Sequence, residues 1–543
     1  MGFLNREQPR TTHTRAAGRL LRVVARLAAV LLLLLHAPAS AQPGTPYAAA
    51  VALPSQAEVA LILDGASRIR TSPAGKTLSA ALADSGLLAE SNRAWDDLAR
   101  VLGLHREDAL DALLGRRVVL VMTGLRPDSV SGWAIASQVS PETERRLRAG
   151  LGASPRQVVA GQPILSVEQG RYELASAVFR DASASPLLRE DERAGPVAIV
   201  LLAPSGSSSL FDAMLPLVQG KVALTPFGQS INPAAAHRPC DGLLIARLPA
   251  AKGRGDRYAA VALHAHPNAW SADTIAWPAR LWLPGVELER VGMWSRRAFD
   301  VISKDALVTV VGTLGSEGPP RELIALTGTA AGMAWPDGLD TPPAGRAMLS
   351  VHCSDPDSGD PLGLSISVAV QVRDIEASAK ACDRAVARSL TVAGRDGFAP
   401  DFDGFLPGAI RTAEVSIAPG RTTTVAWAFE RDAVPCHPDM PRSGWWVMTL
   451  GPTGDAPPRC TAVVRKIASA ITVREDTAGA RRRLSLGVVR PAQAVAFVTR
   501  RDDLPSGPFS LLRAIDMAEW DAWIEGDTIR AESVIHFTPA QTR

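Results

Sequence analysis

No cysteine precedes Cys240 in this 543-residue chain, so everything before it must fold without a disulfide. The five cysteines are Cys240, Cys353, Cys382, Cys436 and Cys460. An odd count leaves at least one thiol outside any intrachain bridge. There is no C-x-x-C, no H-E-x-x-H, no G-x-S-x-G elbow, no P-loop and no dinucleotide glycine pattern, which removes the motif-based arguments for redox, zincin, serine-hydrolase and nucleotide chemistry. Any catalytic site would have to be assembled from residues distant in sequence. Charge of one sign is also lacking. The formal net charge is +3, and residues 1–41 carry six arginines and one glutamate, or +5, so the remainder is 3 − 5 = −2. A nearly neutral chain has no general electrostatic attraction for nucleic acid or an anionic membrane. Beyond the N-terminus no apolar run is long enough to span a bilayer.

What is present begins with an address. Arg15, Arg19, Arg22 and Arg26 form a positive region, Leu27 to Leu35 a short apolar one, and Ala39-Ser40-Ala41 an A-x-A site before Gln42. This order predicts a secretory signal peptide cleaved near Ala41, and a periplasmic or secreted mature chain. Nine uninterrupted apolar residues are too few for a permanent membrane span. In an oxidising compartment the cysteines favour disulfides. Cys436 and Cys460 flank a strand predicted at Trp445 to Leu450 and are the first candidates for a bridge.

The stretch Arg116 to Gly152 organises the reading of the rest. It predicts an apolar strand, a polar connection, a strand opening on Trp133, and an amphipathic helix started by Ser140-Pro141. Ahead of it, Val59 to Leu63 reads as a strand and Ser72-Pro73 as a helix start, since Ser caps free backbone N–H groups and Pro fits the first helical position. Helices are predicted from about Asn92 to Leu102, stopped by Gly103, and up to Leu114-Gly115. Hairpins follow around Ala160–Pro163 and Glu168–Gly170, then a strand at Pro196 to Ala203 and a helix from Ser207–Ser209 to Val218. Residues 230–240 read as a linker and 335–346 as a Pro/Gly break. Strands are predicted at Leu243 to Leu248, Tyr258 to His264, Leu307 to Val311 and Glu322 to Leu326, with a helix at Ser295 to Ile302. At Leu364 to Val372 the strand, capping residue and helix plan returns, with Asp374 as cap. Strands at Ala413 to Ile417 and Thr422 to Phe429, a helix at Thr461 to Ser469 and a closing hairpin around Glu525-Gly526-Asp527 complete the chain.

The fold expected is α+β, mostly antiparallel sheets with strand–helix modules repeated in tandem. The divisions are a signal peptide at 1–41, an N-terminal α+β domain at 42–230, a β-rich middle region at 241–335 and a C-terminal α+β domain at 346–543.

Three runs, WDDLARVLGLHREDALDALLGRRVVLVM, GWAIASQVSPETERRLRAGL and GQPILSVEQGRYELASA, resemble exported bacterial proteins known only as a domain of unknown function. The resemblance covers about residues 59–220 and rests on patterning. It implies export and an α+β fold, and carries no catalytic signature.

Metal ligation has three candidate groups. His264 and His266 lie two apart on a predicted strand, which puts both imidazoles on one side in a geometry that suits zinc. His352-Cys353 and Cys436-His437 are adjacent His/Cys pairs that could supply further ligands. Against this, paired histidines near a strand end are commonly surface groups. The acidic stretches Asp355–Asp360 and Asp401–Gly404 lack the terminal bidentate glutamate of a calcium loop and read as solvated turns. Trp270, Trp277, Trp282 and Trp294 fall within 25 residues. Core filling is the expected role, with stacking on a sugar or lipid as the alternative. Arg481-Arg482-Arg483 reads as a solvated loop edge.

Together these features lead to the expectation of an exported non-catalytic protein with a binding or structural role in the cell envelope, with an unidentified envelope or protein partner and no cofactor. The alternatives are a metal-dependent hydrolase using the His/Cys ligands, and a lipid or glycan carrier.

Overall fold

Val59–Asp64 (β1, VALILD) is buried along its whole length, because it is flanked on both sides by partner strands and has apolar residues on both faces. Its neighbours are Arg117–Arg126 (β2) on one side and Gly242–Leu248 (β9) on the other, both antiparallel. The computed structural model describes residues between 53 and 538, apart from 86–94, 180–196, 219–239, 295–304, 314–340, 355–362, 382–406, 432–441, 473–480, 502–508 and shorter stretches of six residues or fewer. The helix predicted at 295–302, the strand at 322–326, and Cys382, Cys436 and His437 lie outside the described residues.

The chain divides into two units. The first comprises the chain up to Ile275 together with Leu504–Ala514 and the residues from His536; the second comprises Ala276–Asp503 and Ile515–Ile535.

In the first unit, helices Pro73–Asp84 (α1) and Arg106–Leu114 (α2) separate β1 from β2. Ser72 caps α1 by accepting from the Gly75 N–H at 3.0 Å, with Pro73 in the first helical position. Gly103 takes φ +62°, a left-handed conformation that glycine adopts without penalty. Ser129–Val139 (β3) pairs with β2 and leads into Pro141–Gly150 (α3), where the Thr143 N–H donates to Ser140 Oγ at 3.1 Å. A small hairpin, Gln157–Val159 (β4) with Gln162–Ile164 (β5), precedes Val167–Gln169 (β6), Tyr172–Phe179 (β7) and Val197–Pro204 (β8). Helix Ser208–Val218 (α4) packs against β3, β7 and β8. After β9 come Arg257–Ala265 (β10) and Ala269–Trp277 (β11). The sheet order is β10-β9-β1-β2-β3-β8-β7-β6, every pairing antiparallel.

Residues near the C-terminal end complete this unit. The Phe537 ring meets Trp270 edge-on at 5.2 Å, the Phe537 N–H donates to the Asn268 carbonyl, and the Thr538 N–H donates to that of Ala514. Thr77 Oγ1 reaches the Thr538 carbonyl across 461 positions of sequence.

The second unit contains Met293–Trp294 (β12), Ala306–Thr313 (β13), Arg346–Cys353 (β14), Leu364–Val372 (β15), Arg411–Ala418 (β16), Arg421–Arg431 (β17), Gly444–Gly451 (β18), helix Ala456–Thr472 (α5), Arg481–Val489 (β19), helix Pro491–Arg501 (α6), Ile515–Glu525 (β20) and Thr528–Phe537 (β21). The Asp374 carboxylate accepts from the Glu376 and Ala377 N–H groups and starts helical residues 375–381. Its sheet order is β20-β19-β13-β14-β15-β18-β17-β16, again antiparallel throughout. Strand for strand this is the order of the first unit, with β13 standing for β1, β15 for β3 and β18 for β8. One face of the sheet packs Trp427, Trp446, Val368 and Val370 with Ile375 and Ala379; the other packs Ala369, Val447 and Leu486 beneath Ala456, Cys460, Val464 and Ile467 of α5.

Two corrections follow. Strand residues make up 52% of the chain described and helical residues 31%, so the α+β expectation gives way to an architecture closer to all-β. The physical reason is visible in β18, GWWVMTLG, buried at every position: strands covered on both faces lose the apolar/polar alternation that marks a half-exposed strand. Second, Arg481–Arg483 is not a solvated loop edge. It opens β19, and Arg483 is buried against Asp521, with Nε 3.0 Å from Oδ1. No described helix is long and apolar enough to cross a membrane.

Candidate functional site

Two polar clusters hold the residues capable of chemistry. The first lies where β1 ends, β2 begins and β9 begins. Asp64 and Arg117 are opposite one another in the β1–β2 register. Their side chains form a buried bidentate pair, Nε to Oδ1 at 3.1 Å and Nη2 to Oδ2 at 2.9 Å. Asp241 closes the same end: its carbonyl accepts from the Asp64 N–H at 2.8 Å and its carboxylate from the Ala265 N–H at 2.7 Å. Cys240 is buried here. Burial, with Asp64 and Asp273 adding negative potential, pushes its thiol up to about 12, far from the thiolate a nucleophile or metal ligand requires.

Of the predicted ligands, His264 lies near the end of β10, its Nε2 3.5 Å from Asp273 Oδ2 on β11. His266 falls just beyond the strand, where its Nε2 bonds Ser271 Oγ at 3.0 Å. Each imidazole thus has its own cross-strand partner. His352 and Cys353 lie in the second unit, on β14: His352 is buried and Cys353 exposed. Among the described residues no group of three His, Cys, Asp or Glu is placed to hold a metal ion. The cysteines described, Cys240, Cys353 and Cys460, are all thiols.

The second cluster surrounds His352. Its Nε2 is 2.6 Å from Ser350 Oγ. Burial, reinforced by the Arg459 cation, pushes its imidazole down to about 4, so it is neutral at pH 7. Nδ1 meets no partner among the described residues, so the Ser–His contact lacks the orienting group that a nucleophile–base pair uses. Ser367 and Thr449 share a hydroxyl contact of 2.9 Å. Above them the Cys460 thiol, bonded to Thr449 and buried, is also pushed up to about 12 by burial. This cluster was not read from the sequence. Its one signal, Ser350-Val-His352, places two polar side chains on the same side of a strand.

The tryptophans separate. Trp270 stacks edge-on with Phe537, while Trp282 Nε1 donates to the Trp277 carbonyl at 3.4 Å. Trp520 lies over Gly487, where a Cβ would stand 2.2 Å from the ring, and the Arg481 guanidinium sits 4.0 Å above Trp523. No protein-family model, no curated protein and no solved structure matches this chain.

Proposed function

We propose that this chain is an exported, non-catalytic protein with a binding or structural role in the cell envelope. The observation that carries the reading is what its reactive side chains are engaged in. The Asp64–Arg117 and Arg483–Asp521 pairs are buried ion pairs. Glu144, buried on α3, is held by Ser176 Oγ at 2.6 Å and by Arg148. Two thiols are pushed away from the thiolate form and the buried imidazole stays neutral. Perturbed groups at catalytic sites are poised to exchange protons near neutrality; these are shifted the opposite way. The signal-like N-terminus and the resemblance over residues 59–220 support export.

Native mass spectrometry of the chain beginning at Gln42, purified from the exported fraction, tests this. The expected mass is that of the polypeptide, with any adduct being another protein. A stoichiometric zinc ion lost in His264→Ala, or a lipid or glycan lost in Trp282→Ala, would replace the reading with a metal-site or carrier function.

A further inference from the structure

The two units share one strand order, so each serves as an internal control for the other. Their common end fixes the alignment: the terminal pairs Asp64↔Arg117 and Thr313↔Arg346 correspond, as do Leu63↔Gly242 and Gly312↔Ser485. Counting from there, one row across the second sheet reads Thr309, Ser350, Ser367, Thr449, each opposite the next. All four are buried, between 0% and 4% exposed. The corresponding row in the first unit is Ala60, Val121, Ala134, Ala203, every one at 0%. The fold therefore accepts an apolar row at this place, and the four hydroxyls are an addition of the second unit. The row lies on the α5 face, since Val311, Met348, Ala369 and Val447, two positions along each strand, pack with Cys460.

Four hydroxyls in a core are costly unless bonded. Ser367 bonds Thr449, and Ser350 bonds His352. In and beside this row, Thr309 Oγ1, on a residue 0% exposed, and His352 Nδ1, on a residue 6% exposed, are buried with no partner among the described residues, as is Trp445 Nε1 farther along the same face. Buried polar atoms of this kind are ordinarily satisfied by protein or by internal water. We propose that the second unit holds an ordered internal water site between its sheet and α5, bonded to Thr309 Oγ1 and His352 Nδ1. Water suits the site because hydroxyl and neutral imidazole groups can each donate or accept.

The test uses the whole chain from Gln42, with Thr309→Val, which keeps the shape and removes the hydroxyl. Water-oxygen magnetic relaxation dispersion counts long-lived internal waters. The expected result is that the variant loses at least one, and that its Tm falls by about 2–4 °C, the shift a loss near 1 kcal/mol gives in a unit of this size. An unchanged dispersion with an unchanged or higher Tm would overturn the proposal, because it would mean that the hydroxyl was buried dry. Should the variant not fold, a high-resolution crystal structure of the unaltered chain decides. A water peak within hydrogen-bond reach of both atoms supports the site, whereas a dry site or an organic molecule there overturns it.

Discussion

At the scale of single residues, the strongest constraints are buried charges held in pairs. Removing one partner of a buried ion pair strands the other, at a cost of about 3–5 kcal/mol, whereas replacing both with apolar groups of similar volume is close to neutral. Asp64→Asn or Arg117→Met should therefore lower stability in urea unfolding far more than Asp64→Leu combined with Arg117→Met. Equal losses in the three variants would mean that the pair is held by something other than mutual neutralisation. His352 gives a pH dependence whose sign is fixed. Its pKa in the folded chain is about 4 and near 6.5 when unfolded, so the unfolded chain takes up the proton first. The neutral imidazole's contribution is complete above about pH 6.5 and is lost as pH falls toward 4, by roughly 3 kcal/mol. In His352→Gln this part of the acid slope should disappear. Thiol labelling should order the described cysteines by burial: Cys353 reacts with iodoacetamide in the native chain, while Cys240 and Cys460 react only after unfolding.

At the scale of elements, caps and turns were legible in the sequence because their signals are local. Ser72, Ser140, Asp374, Gly103 and Gly526 act where their residue types placed them. Ser72→Ala should cost about 1 kcal/mol, read as a lower denaturation midpoint with an unchanged slope. Strands were legible only in part. β1, β8, β15 and β17 announced themselves as apolar runs. β14 was hidden beside a Pro/Gly stretch, and β19 opens on three arginines, of which Arg483 is buried against Asp521, 38 positions away. β11 reads as mixed polarity because most of its residues are half-buried. Gly487 shows the same dependence on distant partners: it is glycine because the Trp520 ring occupies the space of its Cβ. Gly487→Val should displace that ring and shift the tryptophan emission. An unchanged spectrum and stability would mean that the strand bends to make room.

At the scale of the whole molecule, the sequence suggested a repeat from two strand–cap–helix segments. Its extent, seven matching antiparallel pairings in each unit, appears only when register is known, since no residue-by-residue similarity carries it. Nor could any local pattern disclose that one unit's apolar row is polar in the other. Each unit has its own core, so local stability should follow that core. Trp427→Ala should weaken hydrogen-exchange protection across β13–β18 by more than across β1–β3, and uniform weakening would argue that the two unfold together.

The closure of the first unit by Phe537 and Thr538 sets an order of events in time. Domains commonly fold as they leave the ribosome, the N-terminal one first. Here Trp270 and α1 wait for residues made more than 260 and 450 positions later, so the first unit to be synthesised cannot be the first to finish. Until Phe537 and Thr538 arrive, the unit lacks the contacts they make with Trp270, Asn268 and Thr77, and a chain released early by a premature stop would keep that defect.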